Sequence, residues 1–145
     1  MPRVLIATGA EFPDDNDRKA DRFFAHAKTV ADLEMFDYAI EMYIQGLMLA
    51  PRGLSQHRAL QKLSLTRKAA GGRPMGIFDI RKYPTNLRDS KQSMLNAERR
   101  LASDPDNSDL VRQFHAAAKN ADFSEIIWWI WAGFPETPDD PAANP

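Results

Sequence analysis

Between residues 18 and 50, apolar side chains return at the spacing of a helix face. Phe23, Ala27 and Val30 form one series; Phe36, Ala39, Ile40, Tyr43 and Leu47 form a second. The pattern predicts two helices separated by a tight turn at "DLEMFD", where charge and a break in phase coincide, and Pro51 stops the second. Two antiparallel helices of this length leave apolar faces uncovered, so they need helical neighbours. The remaining sequence supplies them. "LSQHRALQKLSLTRKAA" predicts a third helix, and "NLRDSKQSMLNAERRLAS" another, opened by Asn86 or Asp89. Between these two, "GGRPMGIFDIRKYPT" is rich in glycine and proline and reads as a loop or short extended arm. "NSDLVRQFHAAAKNADFSEIIWWIWAGFPETP" predicts a closing helix pair.

The stretch from Ala20 to Pro51 resembles a tetratricopeptide repeat, a helix–turn–helix unit of about 34 residues. Phe23 takes the first aromatic position, Ala27 the small one, Phe36 the aromatic at the turn, Ala39 the alanine of helix B, Tyr43 its aromatic, Gly46 its second small site and Pro51 the end. His26 stands where a leucine is usual, and Glu34 where the turn commonly has glycine. Leu110, Phe114, Phe123, Ile127, Ile130, Gly133 and Pro138 repeat the scheme in degenerate form, with Ile126 at the helix-B alanine. Pro105 closes a middle unit that is about 20 residues too long for the repeat period, which places an insertion near 70–85.

The resemblance implies an all-α fold, a right-handed superhelical array of about three antiparallel helix pairs. The repeats span 20–53, 54–106 and 107–138 within a helical domain of 18–138, with a partly flexible segment at 1–17 and a flexible tail at 139–145. It also implies a concave groove lined by helix A of each unit. Outward positions there are Phe24, Lys28 and Ala31, then Arg58, Lys62 and Leu65, then His115, Ala118 and Lys119. Phe24, Lys28, Arg58, Lys62 and Lys119 are the candidate partner-binding residues of a basic groove. The two-carboxylate clamp of some repeat proteins is not expected, because Phe24 and Lys28 occupy its expected lysine and asparagine positions.

Charge sharpens this picture. Residues 1–51 carry five basic against nine acidic side chains, 52–100 twelve against three, and 101–145 two against eight, although the whole chain nets only −1. Such segregation steers association with acidic partners or with other copies of the chain. Within the basic middle, Arg67, Lys68, Arg73, Arg81 and Lys82 form a candidate patch for an anionic partner. Only Phe78 and Tyr83 offer rings for base stacking nearby, so nucleic acid or an anionic surface is the second reading, behind protein.

Catalytic signals are absent from the sequence. His26, His57 and His115 are far apart and lack a second ligand-type residue at helical spacing, there is no cysteine, and "GGRPMG" lacks the lysine and hydroxyl of a phosphate loop. No enzyme activity, cofactor or metal is expected. The longest apolar run, 126–134, is about half of what a bilayer requires, and the N-terminal apolar stretch is too short for a signal peptide, so a cytoplasmic protein without a transmembrane segment is expected.

All three tryptophans, Trp128, Trp129 and Trp131, fall in "EIIWWIWAGF". On a helix, Trp128 and Trp131 leave the face carrying Ile126, Ile127, Ile130 and Phe134, so the helix is apolar all round and needs cover on both sides. A hydrophobic interface at these tryptophans, with a homo-oligomer formed through the C-terminal helix, is the expectation. Altogether the sequence reads as a non-catalytic protein–protein interaction scaffold.

Overall fold

The computed structural model describes residues 15–123 together with 130 and 131. These residues form six helices and no strand: α1 (Asp15–Asp32), α2 (Phe36–Leu49), α3 (Leu54–Ala69), a short α4 (Ile77–Arg81), α5 (Ser90–Ser103) and α6 (Ser108–Asn120). The chain is all-helical over this span, and no helix among the described residues is long and apolar enough to cross a membrane.

Local chemistry sets the boundaries. Asp89 caps α5 by accepting from the Gln92 amide at 3.1 Å, and Asn107 caps α6 by accepting from Asp109 and Leu110. Three helices close in the same way. After α1 the amides of Glu34 and Met35 return to the carbonyls of Ala31 and Val30; after α3, Gly71 and Gly72 return to Lys68 and Arg67; after α6, Asp122 and Phe123 return to Lys119 and Ala118. That closure needs a left-handed residue, and the three are Glu34 at φ 61°, Gly71 at 95° and Asp122 at 68°. Glycine meets the requirement without strain only after α3. The spacing from Glu34 to Asp122 is one residue longer than from Phe36 to Phe123, so the two turns share a mechanism with a one-residue slip in register.

Packing follows from the apolar stripes. α1 lies chiefly on α2 and α5 on α6, while α2 touches both α3 and α5, and α3 also meets α5. Gly46 permits a close approach of α1 to α2: a Cβ there would stand 2.3 Å from the Phe24 ring, which also packs against Tyr43 with centroids 6.3 Å apart. His26 pairs edge-on with Tyr38 and shares a 3.0 Å hydrogen bond with its hydroxyl.

α5 is the central element, buried from Ser93 to Arg99 and from Leu101 to Ser103. One of its faces is apolar, with Met94, Leu95, Ala97 and Leu101 joining Ile44, Leu47, Leu60 and Phe114 in the core. The other is a polar stripe that receives the connection from α3. Ser93 bonds both the amide and the carbonyl of Leu87, Asn96 donates to the Pro84 carbonyl at 2.8 Å, Arg100 to that of Ile80 at 3.0 Å, and Ser103 accepts from the Met75 amide at 3.2 Å. The expected arm is therefore strapped along α5, with α4 formed inside it. Ile77 and Phe78 of α4 face outward, 70% and 80% exposed, and Ile80 is half-buried.

Candidate functional site

Strapping the connection onto α5 opens a cleft of about 470 Å³ between it and α2. Asp37, Ile40 and Glu41 form one wall, Arg73, Met75 and Asp79 the other, and Arg67, Tyr83, Arg99 and Ser103 lie between them. A second hollow, about 570 Å³, continues from Asp37 and Arg67 between the turn at Glu34–Tyr38 and the loop at Ala70–Arg73.

Two arginines build this site. Arg67 is mostly buried and spans it: Nε donates to Asp37 Oδ1 at 2.7 Å, Nη1 to the Ser103 carbonyl at 3.2 Å and Nη2 to the Arg73 carbonyl at 2.7 Å. Arg99 donates both terminal nitrogens to the two carboxylate oxygens of Glu41, and its guanidinium lies over the Tyr83 ring at 4.4 Å. Burial pushes the Glu41 carboxyl upward, but the Arg99 and Gln45 hydrogen bonds and the Arg99 charge outweigh it and leave the pKa below the usual glutamate value. Burial lowers the pKa of Arg100 on the strapped side of α5.

Leu33, Met35 and Tyr38 are exposed at the α1–α2 turn, where Met35 and Tyr38 line the second hollow, and Ile77 and Phe78 are exposed on α4, whose Asp79 lines the first. Acidic Asp32, Glu34 and Asp37 accompany the first group, and basic Arg73, Arg81 and Lys82 the second, all of them exposed.

The structure distributes the expected site residues unevenly. In the candidate patch, Arg67 and Lys68 are committed to Asp37 and Asp106, Lys82 lies 3.4 Å from Asp79, and Arg81 sits over the Phe78 ring at 6.0 Å. Arg73 has no side-chain partner among the described residues. Of the groove candidates, Lys28, Lys62 and Lys119 are exposed on α1, α3 and α6, and Arg58 is half-buried. Phe24 packs between α1 and α2 against Gly46, and Ala118, expected to face outward, is fully buried because α6 turns it onto the core.

Trp128 and Trp129 lie outside the described residues. Trp131 is covered by its own chain rather than left for another: it is 7% exposed, meets Phe114 edge-on at 6.1 Å, and donates its indole N–H to Glu98 Oε2 at 2.7 Å. The same oxygen faces His57 Nδ1 at 2.7 Å, and His57 Nε2 lies 2.8 Å from the Pro51 carbonyl. A carbonyl only accepts, so Nε2 carries a hydrogen. Both side chains are fully buried, which makes this a core network out of reach of substrate.

Among the described residues, no group of three or more His, Cys, Asp or Glu side chains is placed to hold a metal ion. No protein-family model, curated protein or solved structure gives a match to this chain.

Proposed function

We propose that the chain is a non-catalytic scaffold for protein–protein interaction, with a tetratricopeptide-like arrangement of its helix pairs. The observation that carries this reading is two exposed apolar groups beside the charged hollows: Leu33, Met35 and Tyr38 at the α1–α2 turn, of which Met35 and Tyr38 line the second hollow, and Ile77 and Phe78 on α4, whose Asp79 lines the first. An apolar cluster bordered by charges is the composition of a protein-binding face. The clamps matter as much as the patch: Arg100 donates to the Ile80 carbonyl of α4 and Ser103 accepts from the Met75 amide just before it, so little entropy is lost in presenting Phe78. Acidic partners fit best, since residues 52–100 carry twelve basic side chains against three acidic ones. Exposed Lys28, Lys62 and Lys119, with Arg58, offer the second surface, the groove that the repeat resemblance implies.

Binding of phosphate-bearing partners is less well supported. Arg67 and Lys68 are occupied by carboxylates, and acidic residues accompany Leu33, Met35 and Tyr38. An immobilised library of acidic peptides carrying apolar residues tests the proposal. Native protein should be retained, and Arg58→Glu with Lys62→Glu or Phe78→Glu should reduce retention with helix content unchanged by circular dichroism. Equal retention of native and variant proteins counts against it.

A further inference from the structure

We propose that the partner at these exposed apolar groups is a second copy of this chain, joined about a two-fold axis so that each copy's basic α4 arm lies on the other's acidic α1–α2 turn. This rests on the protein-binding reading of the same face.

Three observations lead there. The first is pairing of composition: the turn offers Leu33, Met35 and Tyr38 with Asp32, Glu34 and Asp37, and the arm offers Ile77 and Phe78 with Arg73, Arg81 and Lys82. The second is incomplete neutralisation within the chain. Asp37 is tied to Arg67, but among the described residues Asp32 and Glu34 have no ion pair, and Arg73 and Arg81 have no carboxylate partner. The third is position. Arg67 bridges Asp37 to the Arg73 carbonyl, and one hollow is lined by both the turn and the loop leading to the arm, so the two patches are neighbours on one side of the molecule.

Adjacent patches of opposite charge are self-complementary under two-fold rotation. Each contact is then made twice, and closed dimers of this type are the commonest assembly of identical chains. The alternatives fit less well. Neither Ile77 nor Phe78 lines either flanking cavity, so a peptide seated in those cavities would leave both side chains uncovered. A phosphate-rich partner, whether nucleic acid or an anionic bilayer, would meet Asp32, Glu34 and Asp37 beside the arm.

Light scattering on the full chain at high micromolar concentration and low salt tests this, with a charge exchange as the discriminating step. Native protein should show twice the 16.4 kDa of one chain. Arg81→Glu with Lys82→Glu, and separately Asp32→Lys with Glu34→Lys, should each weaken dimerisation at least about tenfold, because the arm and turn then repel. An equimolar mixture of the two variants should recover the dimer, since every arm again faces a turn of opposite charge. Phe78→Glu, which alters no helix packing, should also give a monomer. A native chain that is monomeric, or a mixture that stays monomeric, overturns the proposal. Retention on acidic peptides by a monomeric native chain would leave the protein-binding reading standing without self-association.

Discussion

Nδ1 of His57 lies 2.7 Å from Oε2 of Glu98, in a core where neither side chain reaches solvent. The link joins α3 to α5 and extends to the Pro51 carbonyl at the end of α2 and to the Trp131 indole. Removing one member leaves a buried polar group without its partner. His57→Leu alone should therefore cost about 3–5 kcal/mol in urea unfolding. The double variant His57→Leu with Glu98→Leu should recover part of that loss, because the two groups no longer face an apolar replacement, while the Trp131 indole and the Pro51 carbonyl still lose their bonds. Additive losses in the double variant would show that the pair does not act as a unit.

The left-handed residues at the helix ends give a prediction of opposite sign. Glu34→Gly should raise stability by about 1 kcal/mol, since glycine adopts φ 61° without a Cβ clash. Gly71→Ala should lower stability by about the same amount, because φ 95° is strained for alanine. Thermal melting of the two single variants checks both signs.

Stability should divide between the strapped and outward sides of the α3–α5 connection. Asn96→Ala removes the donor held by the Pro84 carbonyl and should cost about 1–2 kcal/mol. Measured where the chain is dilute enough to be monomeric, Phe78→Ser, at an 80% exposed position, should change stability by no more than about 0.5 kcal/mol. Comparable losses at both positions would place Phe78 in the core.

Acid should weaken the link between α2 and α5. The Glu41 pKa is depressed in the folded chain, so its pairing with Arg99 contributes stability above the ordinary glutamate pKa, and that contribution is lost as pH falls through the lower folded value. Glu41→Gln should flatten that part of the acid limb in a stability–pH profile. A limb of unchanged slope would mean that Glu41 titrates alike in folded and unfolded chains.

Much of the fold was legible in the sequence because short-range signals determine it. Pro51 ends α2, Asp89 caps α5, and the alternation of Ala27, Val30, Ala39 and Tyr43 marks the faces that α1 and α2 bury against each other. Gly46 was legible as a small site, and the structure adds that the Phe24 ring is what requires it. The candidate site was far less legible. The straps from Ser93, Asn96, Arg100 and Ser103 recur at helical spacing, but their acceptors are mostly backbone carbonyls, which leave no trace in residue type. That spacing on one polar face of a helix was the available signal for where the connection lies. The His57–Glu98 contact joins residues 41 positions apart and follows from helix packing alone. The all-round apolar pattern of 126–134 points to an interface at Trp131, and that pattern does not reveal that Phe114 and Glu98 cover it.

Photo-crosslinking from position 78 in the native cell, with mass-spectrometric identification of the adduct, tests the protein-binding assignment most directly. A photoreactive phenylalanine analogue replaces the exposed ring without disturbing the core. Protein binding predicts a covalent adduct to a polypeptide, and self-association predicts that the polypeptide is this chain crosslinked within its α1–α2 turn. Adducts confined to lipid or nucleic acid, or none while the same probe at a buried position such as Phe114 crosslinks within the chain, would contradict it.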